Sequence, residues 1–494
     1  MISPFDLPSS LRAVSPTRLY PPQRWHFAVA ALSYLILAVY GSLVPLTYQP
    51  LPWSDALESF ANIRYLNLGI ESRSDWVANI LLFVPLAWLT MGALCVDRGP
   101  IWSACWALAI AAACHGLSWS IEFVQLFFPP RTVSVNDVVA ETIGGAIDAV
   151  LWVVAGQAVT NWCRRVWAHS RATNAMPMLL LPGYLLALIV IHLMPMDLTI
   201  SPVEVYHKFK EGKILPIPFT QVGRGWEFVQ DTIWNMVYFA PLGWFTASLR
   251  RPDGGWRFEL PAIALIGLFA TAAIEGMQLF VYTRHSDTTD VLTGSLAVLV
   301  VAIATRLAMP ARHVSEVVSS VIVLPGPIAA VGHAGRQRPR PVGIATVIGW
   351  LLPLAWCWAL TMLNWWPFNF TTAPLPEADG VPLPIWRARR MSWLPFENYY
   401  WQSEYASFDQ VLQKGISFAV LGVLLAFGWR VRWGWLVFAL GVLVAGSLEF
   451  GQLFIVKRYP DVTDVLIEGV GAWCGFAICH RWQRTQMLSV ATAK

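Results

Sequence analysis

The chain has 494 residues, is 56% hydrophobic and only 13% charged, and has a mean hydropathy of +0.52. Soluble domains carry roughly 25% charge, so most of this chain is suited to lipid. A net charge of +4 is too small to suggest a nucleic-acid partner; it fits the Lys/Arg bias of membrane loops, and the 27 Trp fit the headgroup boundary.

In chain order, residues 1–26 carry Arg12, Arg18 and Arg24 among Pro and Ser, ahead of a full-length apolar run. This reads as a cytoplasmic N-terminal segment before an uncleaved first span. Apolar runs of spanning length, about 20 residues, then fall near 27–47, 76–96, 101–127 and 136–156. A second set falls near 177–197, 231–250, 259–281 and 289–308, and a third near 344–366, 410–429, 433–455 and 464–482. The expected fold is all-α: a polytopic integral membrane protein of about 12 transmembrane helices in three tandem four-helix repeats, 27–165, 177–308 and 344–482. Residues 157–176, with Arg164, Arg165 and Arg171, read as a connection, and 309–343 as a basic Pro/Gly-rich linker.

Each first helix ends at a Pro: Pro45, Pro195 and Pro367. The second helix of repeat one opens DWVANILLFVPLAWLT and that of repeat two DTIWNMVYFAPLGWFT, pairing Asp75 with Asp231, Asn79 with Asn235 and Pro85 with Pro241. In repeat three Lys414 stands in place of the Asn and Val420 in place of the Pro, and the acidic residue, Asp409, is displaced by one. That drift predicts that repeat three tolerates change better than the other two.

The strongest internal signal joins the third and fourth helices. Glu is followed by Gln at +3, Arg at +9 and Asp at +15 in three places: Glu122, Gln125, Arg131, Asp137; Glu275, Gln278, Arg284, Asp290; and Glu449, Gln452, Arg458, Asp464. Four identities at fixed offsets, three times over, mark a tandem triplication. Glu and Gln at i and i+3 share a helix face, which Ser118 and His115 extend inward in repeat one. An ionisable residue in a spanning helix is a candidate for function. The Arg could pair with the Glu or Asp, or hold a phosphate or carboxylate. The structural alternative is a polar clasp between helices three and four. Ser134, Asp287 and Asp461, three residues before each Asp, fit an N-cap with an acidic N3. Asn79 and Asn235 are either ligand-binding candidates or interhelical glue. Gly144, Gly145, Gly471 and Gly475 read as close-packing positions. The seven Cys have no CxxC spacing and no His/Cys cluster has metal-ligand spacing, so neither metal nor cofactor is expected.

A helix-opening Asn with Phe-x-Pro-Leu, then Glu-x-x-Gln, an Arg and an Asp starting the next helix, resembles the VanZ-like family of bacterial membrane proteins. The resemblance covers most of the chain as three tandem domains. The family usually has Asn four residues after the Asp, where this chain has Glu141, Gly294 and Glu468. The family takes its name from a protein linked to teicoplanin resistance, and relatives occur with cell-envelope and exopolysaccharide genes.

The resemblance implies a bacterial cytoplasmic-membrane protein of the cell envelope. The expected role is to bind or shield glycan or lipid-linked glycan at the outer face, without chemistry of its own. Expected partners are membrane lipid and lipid-linked glycan, cell-wall or exopolysaccharide components, and no nucleic acid. The alternatives are an integral-membrane enzyme on lipid-phosphate or polyprenyl-linked sugars, with a Glu as general base, and a transporter. Short basic loops at 250–257 and 428–433 put both termini on the cytoplasmic side and the Glu/Gln/Arg/Asp sets on the other.

Overall fold

A computed structural model of the chain describes residues 20–65, 72–129, 131–169, 176–199, 201–249, 255–308, 344–370, 391–402, 404–427, 431, 433–455 and 458–491. The linker read at 309–343 and most of the N-terminal segment lie outside them. The fold is helical, in three sets of four. Repeat one has Arg24–Leu43, Ser72–Cys95, Pro100–Gln125 and a fourth helix opening at Val135. Repeat two has Met176–Leu193, Trp226–Ser248, Leu260–Gln278 and Thr288–Ala308, and repeat three has Ile344–Trp365, Glu404–Phe427, Gly434–Gln452 and Val462–Ala491. Among the described residues, nine of these helices are long and apolar enough to cross a membrane, and Leu180–Leu193 and Leu351–Trp365 are shorter apolar helices. Trp226–Ser248 completes the set with 23 residues, about 35 Å of helix.

Two helix ends differ from the sequence reading. The fourth helix of repeat one passes through a π-helical turn at Trp152–Gly156 and continues as Gln157–His169, where a connection was expected. Burial of a charge explains the extension. Arg164 is 2% exposed and forks onto Asp97 at 2.7 and 2.8 Å, its Nε donating to the Pro22 carbonyl at 3.1 Å. The last helix of repeat three likewise runs past 482 to Ala491.

Each repeat packs its own apolar core, around Phe83 in repeat one, Phe239 in repeat two and Phe418 in repeat three. The second and fourth helices of each repeat touch backbone to backbone. A Cβ on Gly144 would collide with the Ile80 carbonyl, one on Gly243 with that of Val298, and one on Gly422 with that of Ala472. Repeat three adds Gly471 against the Gly415 carbonyl and Gly475 against the Ala419 carbonyl. Without a hydrophobic force between helices in lipid, this close approach is what holds them.

After each first helix the chain turns at Pro45, Pro195 or Pro367, all in cis linkage, and the next residue takes a left-handed φ of 60° to 62° (Leu46, Met196, Phe368). It then runs beside the end of the third helix: Gln49 and Thr199 donate to Phe127 and Phe280 at 2.8 Å, and Phe370 bridges Ile455. The following loops differ in content but end alike. Leu215 pairs with Asp287 and Ser392 with Asp461, in parallel, at the mouth of the fourth helix.

The repeats close on one another. Arg73 of repeat one pairs with Glu204 of repeat two at 3.2 Å. Tyr40 of repeat one donates to the Pro395 carbonyl of repeat three at 2.7 Å, and Arg131 lies over the Tyr400 ring. Tyr238 of repeat two reaches Asp409 of repeat three at 3.5 Å, and Trp226 packs on Trp366.

Candidate functional site

The conserved offsets become one geometry built three times. The Glu, buried in the last turn of the third helix, accepts the N–H of the residue that caps the fourth helix. Glu122 accepts from Ser134 at 2.9 Å, Glu275 from Asp287 at 2.9 Å and Glu449 from Asp461 at 3.1 Å. Those capping residues in turn serve the helix mouth. Ser134 accepts from the Asp137 N–H, Asp287 from that of Thr289 at 2.7 Å and Asp461 from that of Thr463 at 2.8 Å. The first-turn donors of a helix lack intrahelical partners, which is why these side chains are useful there.

The Gln reaches the end of the first helix. Gln125 donates to the Ser42 carbonyl at 2.9 Å and Gln278 to the His192 carbonyl at 3.1 Å. In repeat three Gln452 turns to Glu449 at 3.1 Å and touches Asn364 at 3.5 Å. Ser42, His192 and Asn364 each stand three residues before the turn-making Pro. The Arg serves the same helix end. Arg131 donates to the Gly41 carbonyl, Arg284 to Met194 and Ile191 at 2.7 Å each, and Arg458 to Trp366 at 3.3 Å. A cation beside unsatisfied C-terminal carbonyls meets both their hydrogen-bonding need and the helix dipole. In each repeat the constellation thus ties the end of helix one, the end of helix three and the start of helix four into a clasp. All three clasps lie at the same end of the bundle.

The Asp and its neighbours on helix two differ between copies. Asn79 donates to Asp137 at 2.7 Å, and Ser134 also donates to that carboxylate at 2.8 Å. Asn235 instead donates to the Asp290 backbone carbonyl and to Thr293, both at 2.8 Å. In repeat three Lys414 forms an ion pair with Asp464 and lies 3.8 Å from Glu449, while Tyr399 donates to Asp464. Lys414 is therefore a member of a buried charged network, so the Lys in place of Asn is no ground by itself for greater tolerance at this helix of repeat three.

Ser118 and His115 do not form one inward face. Ser118 is buried, whereas His115 is exposed and bonds Thr142 at 2.9 Å and Trp119 at 3.0 Å. Conversely, Glu141 and Glu468 are buried at 3% and 1% exposure, each with an Oε2 that meets no hydrogen-bond partner among the described residues. They lie one turn beyond the Asp on its own face, a spacing visible in the sequence.

Two cavities open beside the clasps of repeats two and three, and each is completed by the other repeat. The larger, about 1060 Å³, is walled by Lys414, Gln452, Asp464 and Glu468, by the loop residues Trp393, Asn398, Tyr399, Trp401 and Gln402, and by Gln230 and Trp234 of repeat two. The smaller, about 370 Å³, is walled by Asn235, Glu275, Gln278, Arg284, Asp287 and Asp290, and by Asp409 and Gln413 of repeat three. Trp234 and Gln413 border both. Among the described residues no His, Cys, Asp and Glu cluster is arranged to hold a metal ion.

Fold and site together define a multi-pass, all-α membrane protein built from three copies of one polar-clasped four-helix unit. A family model described as VanZ/LLP1 matches the chain three times, at residues 31–156, 182–309 and 350–483. The chain belongs to the VanZ/LLP1 family as three tandem domains, as the motif resemblance implied. No curated protein and no solved structure matches it.

Proposed function

We propose that this protein binds glycan, free or lipid-linked, in the large chamber between repeats two and three, on the outer face of a bacterial cytoplasmic membrane. The observation that carries the reading is the make-up of that chamber. Its wall combines aromatic rings (Trp234, Trp393, Tyr399, Trp401, Tyr459) with carboxamides (Gln230, Asn364, Asn398, Gln402, Gln410, Gln413, Gln452). A sugar ring offers C–H faces that lie on aromatic rings, and a rim of hydroxyls that both donate and accept. Carboxamides do both as well. Small-molecule sites run to roughly 300–1,000 Å³, so a chamber of about 1060 Å³ has room for more than one sugar unit.

The charge distribution argues against a phosphate as the bound group. Lys414 faces Asp464 and Glu449, and Arg458 donates to a helix-end carbonyl. Carboxylates of Glu397, Asp461, Asp464 and Glu468 line the same wall. Mass spectrometry of material copurifying with the full chain is expected to find a glycan or glycolipid. Recovery of phospholipid or polyprenyl phosphate with no sugar would overturn the reading.

The orientation has its own test. With both termini cytoplasmic, the clasps face outward. In a background where the exposed Cys105 is Ser, Ser54→Cys is expected to react with an impermeant thiol reagent in intact cells. Gly99→Cys, at the opposite end of the bundle, is expected to react only after permeabilisation. The reverse pattern would put the chambers inside.

A further inference from the structure

We propose that repeat one takes part in the site of the large chamber: Tyr40 and Arg131 are positioning residues that fix the chamber's loop wall from outside it. This role rests on the glycan reading for the ligand, and on contacts between repeats for the positioning.

The loop wall is residues 391–402, and little packing holds its outermost rings. Trp393 and Trp401 line the chamber at 75% and 61% exposure, so their places are set by the backbone that carries them. Repeat three holds one edge of that backbone. Ser392 donates to the Pro460 carbonyl and accepts from the Val462 N–H, both at 2.9 Å, and the Phe396 N–H donates to Thr463 at 2.7 Å. Repeat two holds its own loop in the same way, through Leu215 beside Asp287 and the Phe219 N–H on Thr289. These anchors are internal to a repeat.

The contacts from repeat one are of another kind. Tyr40, in the last turn of the first helix, donates its hydroxyl to the Pro395 carbonyl at 2.7 Å. One residue on, the Gly41 carbonyl accepts from Arg131, whose guanidinium lies 4.5 Å from the centre of the Tyr400 ring. Tyr400 in turn meets Trp401 edge to face, with ring centres 5.0 Å apart. A line of contacts therefore runs from the clasp of repeat one, through Tyr400, to an aromatic ring on the chamber wall. Cation–π and edge-to-face contacts are directional, so they fix the angle of a ring as well as its distance. Tyr40, Arg131 and Tyr400 stand outside the chamber lining, whereas Tyr399 and Trp401, on either side of Tyr400, belong to it. A ligand that meets rings already in place avoids the entropy lost when mobile side chains and loops are ordered on binding. Freeing the loop from repeat one thus lowers affinity without removing any group that lines the chamber.

The test pairs two measurements on the full chain in lipid nanodiscs: hydrogen exchange of the backbone at 391–402, and calorimetric binding of an N-acetylglucosamine tetramer. Tyr400→Leu removes the ring between Arg131 and Trp401, whereas Tyr400→Phe keeps it. Tyr40→Phe removes only the hydroxyl at Pro395. Tyr400→Leu and Tyr40→Phe are expected to speed exchange across 391–402. They are also expected to weaken tetramer binding by on the order of three- to tenfold, the scale of one or two side chains that must be ordered on binding. Tyr400→Phe should match the native chain in both measurements, and the melting temperatures of all three variants should stay with it. Unchanged exchange in both Tyr400→Leu and Tyr40→Phe would overturn the positioning role. So would faster exchange with tetramer affinity intact, or an affinity that falls only where the melting temperature falls too. If Tyr400→Leu fails to fold, Tyr40→Phe decides by the same readouts. A native chain that binds no tetramer would count against the glycan reading, and exchange alone then decides: faster exchange upholds the positioning and unchanged exchange removes it.

Discussion

Lys414→Met is expected to be among the most destabilising single changes in the protein, lowering the thermal midpoint in detergent by the equivalent of about 3–5 kcal/mol. The reason is what it leaves behind. Asp464 and Glu449 are 4% and 1% exposed, and Lys414 is the cation that faces both. Met fills much the same volume but leaves two carboxylates buried at close range with no opposite charge. The other repeats suggest a milder replacement. Asn79 satisfies Asp137 at 2.7 Å without any charge, so Lys414→Asn should cost less than Lys414→Met. Adding Asp464→Asn to Lys414→Met should recover part of the loss. A midpoint unchanged by Lys414→Met would mean that the network holds nothing together.

Gly475→Leu is the second large effect. The Cβ of any residue at Gly475 would collide with the backbone carbonyl of Ala419 on the second helix. A carbonyl inside a helix cannot rotate aside, so the two helices must part, and Gly471 and Gly422 lose their contacts in the same seam. Overpacking of this kind costs about 1–3 kcal/mol and sometimes more. In lipid there is no compensating hydrophobic force between the helices. Gly446→Leu, on the third helix with open space beside it, is the control and should be close to neutral. Equal midpoints for the two variants would contradict the close-packed seam.

Much of the fold is legible in the sequence because its signals are side-chain signals. Hydropathy finds the helices, and Glu, Gln, Arg and Asp at fixed offsets find the repeats. What the Arg does is not legible, since its partners are backbone carbonyls of helix one and a carbonyl has no letter of its own. From sequence alone both a clasp and an anion site are open to Arg131, Arg284 and Arg458, and the end of helix one beside them accounts for the clasp. Lys414 reads as drift in a linear comparison, yet it forms an ion pair with Asp464 because its long side chain carries a charge to the place that Asn79 reaches with an amide.

A shorter signal lies in the loops. Phe219 and Phe396 both follow a Pro, both hold a left-handed φ, 63° and 65°, and both donate their N–H to a Thr that precedes the repeat's Asp: Thr289 at 2.8 Å and Thr463 at 2.7 Å. The Pro-Phe pair is too short to stand out between loops of unequal length. The loop aromatics Trp393, Tyr399 and Trp401 line the larger chamber and follow no periodicity, so nothing in their spacing marks them.

The clasp itself is tested most directly by the melting temperatures of three single variants, Arg131→Gln, Arg284→Gln and Arg458→Gln, measured side by side in one detergent. Charge-assisted hydrogen bonds contribute about 1.5–3 kcal/mol each when well placed. Arg284 makes two at 2.7 Å to the end of helix one, whereas Arg458 makes one at 3.3 Å from an exposed position. The expected result is a clear loss for Arg284→Gln and a small one for Arg458→Gln. Three unchanged melting temperatures, with glycan binding abolished in each variant, would contradict the clasp and return the arginines to the ligand.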